Sequence, residues 1–139
     1  MVIKDIVSAY GHENILCTHN STIELTKSKC LTTTGNCILG INASKACIEL
    51  NPELKKSIKK GKKVKVTLKV EDLIETFYGS GHKDLNLLDS NDMVFRKSKY
   101  ICDRTILINC TKSSRDLNRV LIEKIKNSKK RFFIILEVI

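Results

Sequence analysis

The sequence predicts an α+β protein built from an internally duplicated, β-rich unit of about β-β-β-β-α-β. Three observations lead to this prediction. Many short segments are β-branched or alternate apolar and polar residues, as strands do. One segment in each half has the apolar spacing of a helix, and the motifs of residues 1–70 recur in residues 71–139. With 139 residues in all, the chain is expected to form one domain made of these two repeats.

The repeat is visible as a series of matches that keep the same order in both halves. Residues 11–12 match 81–82, residues 26–29 match 96–99, and residues 41–46 match 108–113. The offset is 70 residues for the first two matches and 67 for the third, which indicates a three-residue deletion. A collinear series of this kind is typical of a structural repeat.

The first half contains strand signals and one helix. Strands are predicted over residues 2–9, 15–18, 22–26, 37–41 and 64–70. A loop is expected over residues 31–36. Ser44 resembles a helix N-cap, Pro52 suits a first helical turn, and Gly61 suits the end of a helix.

The second half follows the same order. Strands are predicted over residues 73–78, 85–88, 93–96, 105–110 and 131–139. Ser113 or Ser114 is expected to cap a helix that ends near Asn127, and the apolar run of the last strand indicates a central position in its sheet. Because each unit alone would leave sheet edges exposed, we expect the two units to close into a barrel-like structure, with two packed sheets as the alternative.

Composition narrows the classes of partner. The net charge of +10, from 25 Lys and Arg against 15 Asp and Glu, favours anionic partners such as RNA or a phosphate-bearing small molecule. Solubility is the simpler explanation. No apolar run approaches the roughly 18 residues of a membrane span, and the N-terminus does not resemble a secretory signal. We therefore expect no membrane partner and a cytoplasmic location, with the six cysteines reduced.

The histidines form the first candidate site. His12 and His82 correspond at an offset of 70 residues, and His19 corresponds to Asp89. If the two Gly-His turns face each other across a pseudo-twofold axis, these four residues would hold zinc, iron or manganese, or transfer protons near neutral pH. The alternative is that each histidine caps a turn.

A second candidate site consists of Asp92, Arg96, Lys97, Asp103 and Arg104. The arginine fork suits phosphate or carboxylate, so an anion-binding site is expected here. The corresponding positions of the first half carry much less charge. Surface ion pairs of little energetic value are the alternative.

Two lysine-rich segments form a third candidate. The first lysine run is Lys55, Lys56, Lys59, Lys60, Lys62, Lys63 and Lys65. The second lysine run is Lys124, Lys126, Lys129, Lys130 and Arg131. Each lies where a helix ends and a strand begins, and on one face they would track a phosphate backbone. Lysines also suit helix C-termini and protect strand edges. With four Phe, three Tyr and no Trp, a platform for stacking bases is poorly supplied.

The whole chain resembles an archaeal family catalogued as domain of unknown function 371. In the first half the resemblance lies in Gly11-His12, Thr18-His19, residues 22–26, residues 35–38 and Lys45-Ala46. In the second half it lies in Gly81-His82, residues 92–94, residues 96–98 and residues 102–105. The resemblance implies a small cytosolic archaeal protein and supplies no activity.

Three functions remain open at this stage. The leading hypothesis is a module that binds an anionic, phosphate-bearing partner, either RNA or a nucleotide-like ligand. The alternative is a small metal- or histidine-dependent enzyme, such as a hydrolase, with its site between the two repeats. A third reading is an interaction subunit without chemistry of its own.

Overall fold

The computed structural model describes residues 2–31 and 35–139, so residues 32–34 of the expected loop lie outside the described residues. The protein is α+β, as predicted. Its elements are β1 (Lys4–Tyr10), β2 (Thr22–Thr26), β3 (Ile38–Gly40), α1 (Pro52–Lys59), β4 (Lys63–Val70), β5 (Leu73–Ser80), β6 (Asp92–Arg96), β7 (Thr105–Leu107), α2 (Arg119–Ser128) and β8 (Arg131–Val138). Within these ranges, neither helix has the length and apolar character that a bilayer crossing requires.

The strands form two four-stranded sheets. Sheet A has the order β1-β8-β4-β5 and is antiparallel throughout. Sheet B has the order β3-β2-β6-β7, with an antiparallel pair at its centre and a parallel strand at each edge. β8 is therefore central, as its apolar run predicted. In both sheets, the two central strands come from different halves of the chain.

The hydrophobic core lies between the two sheets. Along β4, Val64, Val66, Leu68 and Val70 are buried, while the alternate residues face outward. Rings from the two sheets meet edge to face, because Phe77 of β5 lies 5.7 Å from the ring of Phe95 on β6. The buried cluster draws residues from both halves of the chain.

The expected closed barrel is wrong, because neither sheet closes on itself over the residues that the structure describes. The edge strands β1 and β5 reach sheet B only through single bridges, Tyr10 to Ile41 and Ser80 to Ile108. β3 and β7 are three residues long and too short to extend these bridges into ladders. Two packed sheets, the alternative, describe the protein correctly.

The strands expected over residues 15–18 and 85–88 are loops. In each loop one residue has a left-handed backbone, Cys17 with φ of 49° and Leu87 with φ of 53°. This conformation interrupts a strand ladder. In the first loop, the N–H groups of Thr18 and His19 instead donate to the carbonyl of Asn36.

The helix starts were placed too early. A 3-10 turn occupies Cys47–Glu49 in the first half and Ser114–Asp116 in the second, so Ser44, Ser113 and Ser114 do not cap α-helices. The caps are Asn51 and Asn118, whose side-chain oxygens accept N–H bonds of 2.8 Å. The predicted position of Pro52 is confirmed, since α1 begins there.

Each helix packs its last turn against the glycine of a Gly-His motif. A Cβ added to Gly81 would overlap the carbonyl oxygen of Ile58 in α1, and one added to Gly11 would overlap that of Ile125 in α2. α1 therefore packs against the second half of the chain and α2 against the first. The glycines allow this close approach because they lack a side chain.

We predict that Gly81→Ala lowers the free energy of unfolding by about 3 kcal/mol, because the helix must move away from the loop. Urea unfolding measures the change. Gly35→Ala is the matched control, since the nearest atom to its added Cβ is Cγ1 of Ile38 at 3.9 Å. Equal unfolding midpoints for the two variants would contradict the proposed packing.

Candidate functional site

The two Gly-His turns lie at opposite corners of sheet A. β1 and β5 are its two edge strands and run in opposite directions, so their last residues, Tyr10 and Ser80, are diagonal to each other. Four strands across and seven residues along give a separation of roughly 25 Å. His12 and His82 follow these residues, and the expectation that the two turns face each other does not hold.

Each histidine uses its Nδ1 atom to accept backbone N–H groups of its own turn. His12 accepts from Asn14 at 2.9 Å, and His82 accepts from Asp84 at 3.0 Å. His19 accepts from two backbone groups, at 3.1 and 3.2 Å. This is the turn-capping arrangement, and it leaves Nε2 of each ring available. Among the described residues, no three His, Cys, Asp or Glu side chains are grouped so that they could hold a metal ion.

Asp89 caps its own turn in the same way. Its Oδ2 atom accepts the N–H groups of Asn91 at 3.1 Å and Asp92 at 2.6 Å. Asp89 also lines a cleft of about 280 Å³ with Asn86, Leu88, Ser90 and Asp103. Because two carboxylates and no basic residue line this cleft, its charge opposes binding of phosphate.

Arg104 lies in an ion-pair cluster on sheet B. Its Nη1 atom is 3.2 Å from Oε1 of Glu24 and 3.5 Å from Oδ2 of Asp92. Only 11% of the Glu24 side chain is exposed, and burial raises its pKa; the Asp92 charge raises it further, whereas Arg104 lowers it. Arg104 therefore serves as the counter-ion of two carboxylates.

The other cations of this predicted anion site also have internal partners. Arg96 donates to Oγ1 of Thr105 at 2.9 Å and to Sγ of Cys102 at 3.2 Å. Lys97 pairs with Asp116 at 3.1 Å. Oδ1 of Asp103 accepts a bond of 3.0 Å from Asn86, away from these cations. The structure thus brings Asp92 and Arg104 together but gives each of the three cations another role.

All six cysteines are free thiols, and their surroundings differ. Burial raises the pKa of Cys17 to about 11 and the pKa of Cys47 and Cys110 to about 12. Partial burial also acts to raise the pKa of Cys102. It is outweighed there by the N–H of Arg104, the Thr105 hydroxyl and the Arg96 guanidinium, so the pKa lies below its usual value.

The two lysine runs lie at opposite ends of sheet A and not on one common patch. The first run leads into the start of β4 and the second into the start of β8, and these adjacent strands are antiparallel. The Gly-His turns lie beside them, since Gly81 donates to the carbonyl of Lys62 and Gly11 to that of Lys130.

The two lysine runs also differ in how far they are neutralised. In the second run, Lys124 and Lys130 lie 3.3 and 3.7 Å from Glu71, and Lys129 lies 3.9 Å from Glu13. In the first run, none of the lysines forms an ion pair with a described residue. Its exposed members are Lys56, Lys59, Lys60, Lys62 and Lys63. Unneutralised positive charge is thus concentrated where α1 meets β4.

Sequence reasoning missed the outer face of sheet A, which is turned away from the core. The exposed side chains of Ile6, Ile74 and Phe133 show that this face is open to solvent. Its cations are Lys4, Lys63, Lys65, Lys69 and Arg131, and Glu137 is its only acidic strand residue. The strict alternation of lysine along β4 was the available signal, but strand order was needed to place Phe133 and Tyr78 beside it.

Comparison with known proteins gives two matches. A family model described as Domain of unknown function (DUF371) matches residues 7–139. An uncharacterized protein of the archaeon Methanocaldococcus jannaschii is 45% identical over 128 residues, which cover 92% of this chain and 95% of that protein. The family match therefore includes both lysine runs and nearly all of both sheets.

We predict that Arg104→Gln lowers the free energy of unfolding at about pH 7 by 1–2 kcal/mol, less than for a fully buried pair because 43% of the Arg104 side chain is exposed. Since the folded pKa of Glu24 is raised, its contribution to stability is complete below the unfolded pKa and is lost as pH rises through the folded pKa. The variant raises this pKa further, so the loss should be larger at about pH 7 than at about pH 4.

Urea unfolding at the two pH values measures this effect. Lys97→Gln, which removes the cation of an exposed ion pair, is the matched control and should change stability by less than about 1 kcal/mol. An Arg104→Gln loss of the same size at both pH values would contradict the role of Glu24.

Cys102 should be alkylated by iodoacetamide at about pH 7 faster than Cys17, Cys47 or Cys110, because it is more accessible and its pKa is lowered. Mass mapping of the modified peptides gives the rates. Arg96→Met should slow the reaction at Cys102 and leave the exposed Cys30 unchanged. Equal rates at Cys102 and Cys110 would refute this prediction.

Proposed function

The chain belongs to the family described as Domain of unknown function (DUF371), and because that description names no activity, we propose from its own surface that this protein binds RNA through the first lysine run. One observation carries the proposal. Five exposed lysines converge where α1 meets β4, and no described carboxylate neutralises them. Such a surface attracts a phosphate backbone through release of counterions.

The electrostatic contribution has a definite size. If five lysines each neutralise one phosphate of a single strand, log K should fall with log of the salt concentration with a slope of about −3.5. Affinity then weakens roughly 100-fold between about 50 and 200 mM salt. Without base contacts, binding by lysines alone is insensitive to nucleotide sequence.

The other functions have less support. A small nucleotide-like ligand would need a concave basic site, whereas the cleft at Asp89 and Asp103 is acidic. A metal- or histidine-dependent hydrolase would need its groups together, whereas His12 and His82 lie at opposite corners of sheet A. An interaction subunit needs an open surface, and the outer face of sheet A is one, but its strong positive charge favours an anionic partner.

The organisation of the chain is part of the proposal. An origin by duplication, in one domain over residues 1–139, is supported by the pairing registers, because Glu24 lies opposite Val94 and Thr67 opposite Ile135, 70 and 68 residues later. The loops also exchange equivalent bonds, from Ile48 to the Asp89 carbonyl and from Arg115 to the His19 carbonyl. The free thiols favour a cytoplasmic location.

We predict that replacing Lys59, Lys60 and Lys63 together by Gln weakens RNA binding about tenfold or more at low salt and reduces the salt slope to about −1.4. Fluorescence anisotropy with a labelled oligouridylate of about 12 nucleotides measures both quantities.

The matched control replaces Lys124, Lys129 and Lys130 together by Gln. It changes the net charge equally but removes lysines that Glu71 and Glu13 already neutralise. The control should bind nearly as well as the unchanged protein. Equal losses in both variants would show that net charge, and not the first lysine run, determines binding, and no binding by the unchanged protein would refute the proposed function.

A further inference from the structure

Resting on the proposed RNA binding, we propose that the outer face of sheet A is a stacking platform for single-stranded RNA. Unpaired bases stack on Phe133 and Tyr78, along a diagonal line of residues that leads to the first lysine run. The proposal names the substrate class and the side chains that contact bases, neither of which follows from positive charge alone.

The diagonal line follows from strand register. Tyr10 of β1 lies opposite Arg131 of β8, two residues before Phe133. Phe133 lies opposite Lys69 of β4, two residues from Thr67, and Lys65, two residues further, lies opposite Tyr78 of β5. We call the resulting line of Tyr10, Phe133, Thr67 and Tyr78 the aromatic stripe.

Each step of the aromatic stripe crosses one strand and advances two residues, a distance of about 8 Å. The whole stripe therefore spans about 25 Å, from the corner at Tyr10 to the corner at the first lysine run. Phe133 is exposed, and Tyr10 and Tyr78 are half-buried, so their rings rest on the sheet with a side open to solvent. Three aromatic side chains on an open four-stranded sheet suffice to stack two or three bases.

The charge around the aromatic stripe suits a phosphate backbone. Arg131 lies 5.3 Å from the centre of the Phe133 ring, and Nζ of Lys63 lies 5.9 Å from the centre of the Tyr78 ring. Lys65 and Lys69 occupy the strand between these two rings. A base on either ring would thus bring its phosphate next to a cation, which is the arrangement that single-strand binding proteins use.

The geometry favours a single strand over a duplex, and RNA over DNA. In a duplex the bases already stack on one another and offer no free face to Phe133 or Tyr78. The hydroxyls of Thr67 and Thr76 lie opposite each other near the centre of the face, within the same rows as the stripe. Hydroxyl groups there provide donors and acceptors for the ribose 2′-OH that distinguishes RNA.

The test is an anisotropy titration of the full-length protein and its variants. The probes are a labelled oligouridylate of about 12 nucleotides, an RNA duplex of the same length and the matching oligothymidylate. Replacing Tyr78 and Phe133 together by Leu should weaken oligouridylate binding about tenfold or more, with the salt slope unchanged because no phosphate contact is lost. Binding of the duplex should be weaker than that of the single strand and should not change in this variant.

Two controls separate stacking from damage to the fold. Tyr100→Leu removes an exposed tyrosine that lies outside sheet A and should leave affinity unchanged. Tyr78→Phe with Phe133→Tyr keeps both rings and should retain the affinity. If this second pair also loses binding, ring stacking is not the cause and the proposal is overturned.

The remaining outcomes distinguish this inference from the proposed function. Salt-sensitive binding that is equal for single strand and duplex, and unchanged in the leucine variant, overturns the stacking platform but leaves the lysine-based function standing. Equal affinity for oligothymidylate overturns the choice of RNA over DNA. Absence of binding to every probe overturns both the inference and the function on which it rests.

Discussion

Both sheets depend on antiparallel pairing between a strand of residues 1–70 and a strand of residues 71–139. β4 pairs with β8 at the centre of sheet A, and β2 pairs with β6 at the centre of sheet B. Antiparallel pairing turns each half end for end relative to the other. Corresponding features are therefore sent to opposite corners, which separates the two Gly-His turns and the two lysine runs and gives the aromatic stripe its diagonal course.

The positive charge of the protein has different uses in the two sheets. On sheet B, Arg104 is close to Glu24 and Asp92, so its charge stabilises buried carboxylates and is not available to a ligand. On sheet A, the lysines of β4 alternate with buried valines and face solvent. The same residue types thus support the fold in one place and form an open cationic surface in the other, and burial of nearby carboxylates decides between them.

Local signals in the sequence were sufficient for many elements but not for their arrangement. Alternation identified β4, and Pro52 identified the start of α1, because both depend on neighbouring residues only. The left-handed backbone at Cys17 could not be foreseen, since no glycine marks it and part of its loop bonds to Asn36. The lysines of both runs were named correctly, yet their neutralisation depends on Glu71 and Glu13, which only the folded structure brings near.

The position of β8 has a consequence for the order of events during synthesis. β8 follows every other strand along the chain but lies between β1 and β4, so that Tyr10 pairs with Arg131, 121 positions later. Until β8 emerges from the ribosome, β1 has no partner and the hairpin of β4 and β5 has one open edge. Contacts this distant in sequence make folding slow and leave strand edges exposed to aggregation. The sheet that carries the stripe is therefore completed last, in a single step that joins the beginning of the chain to its middle.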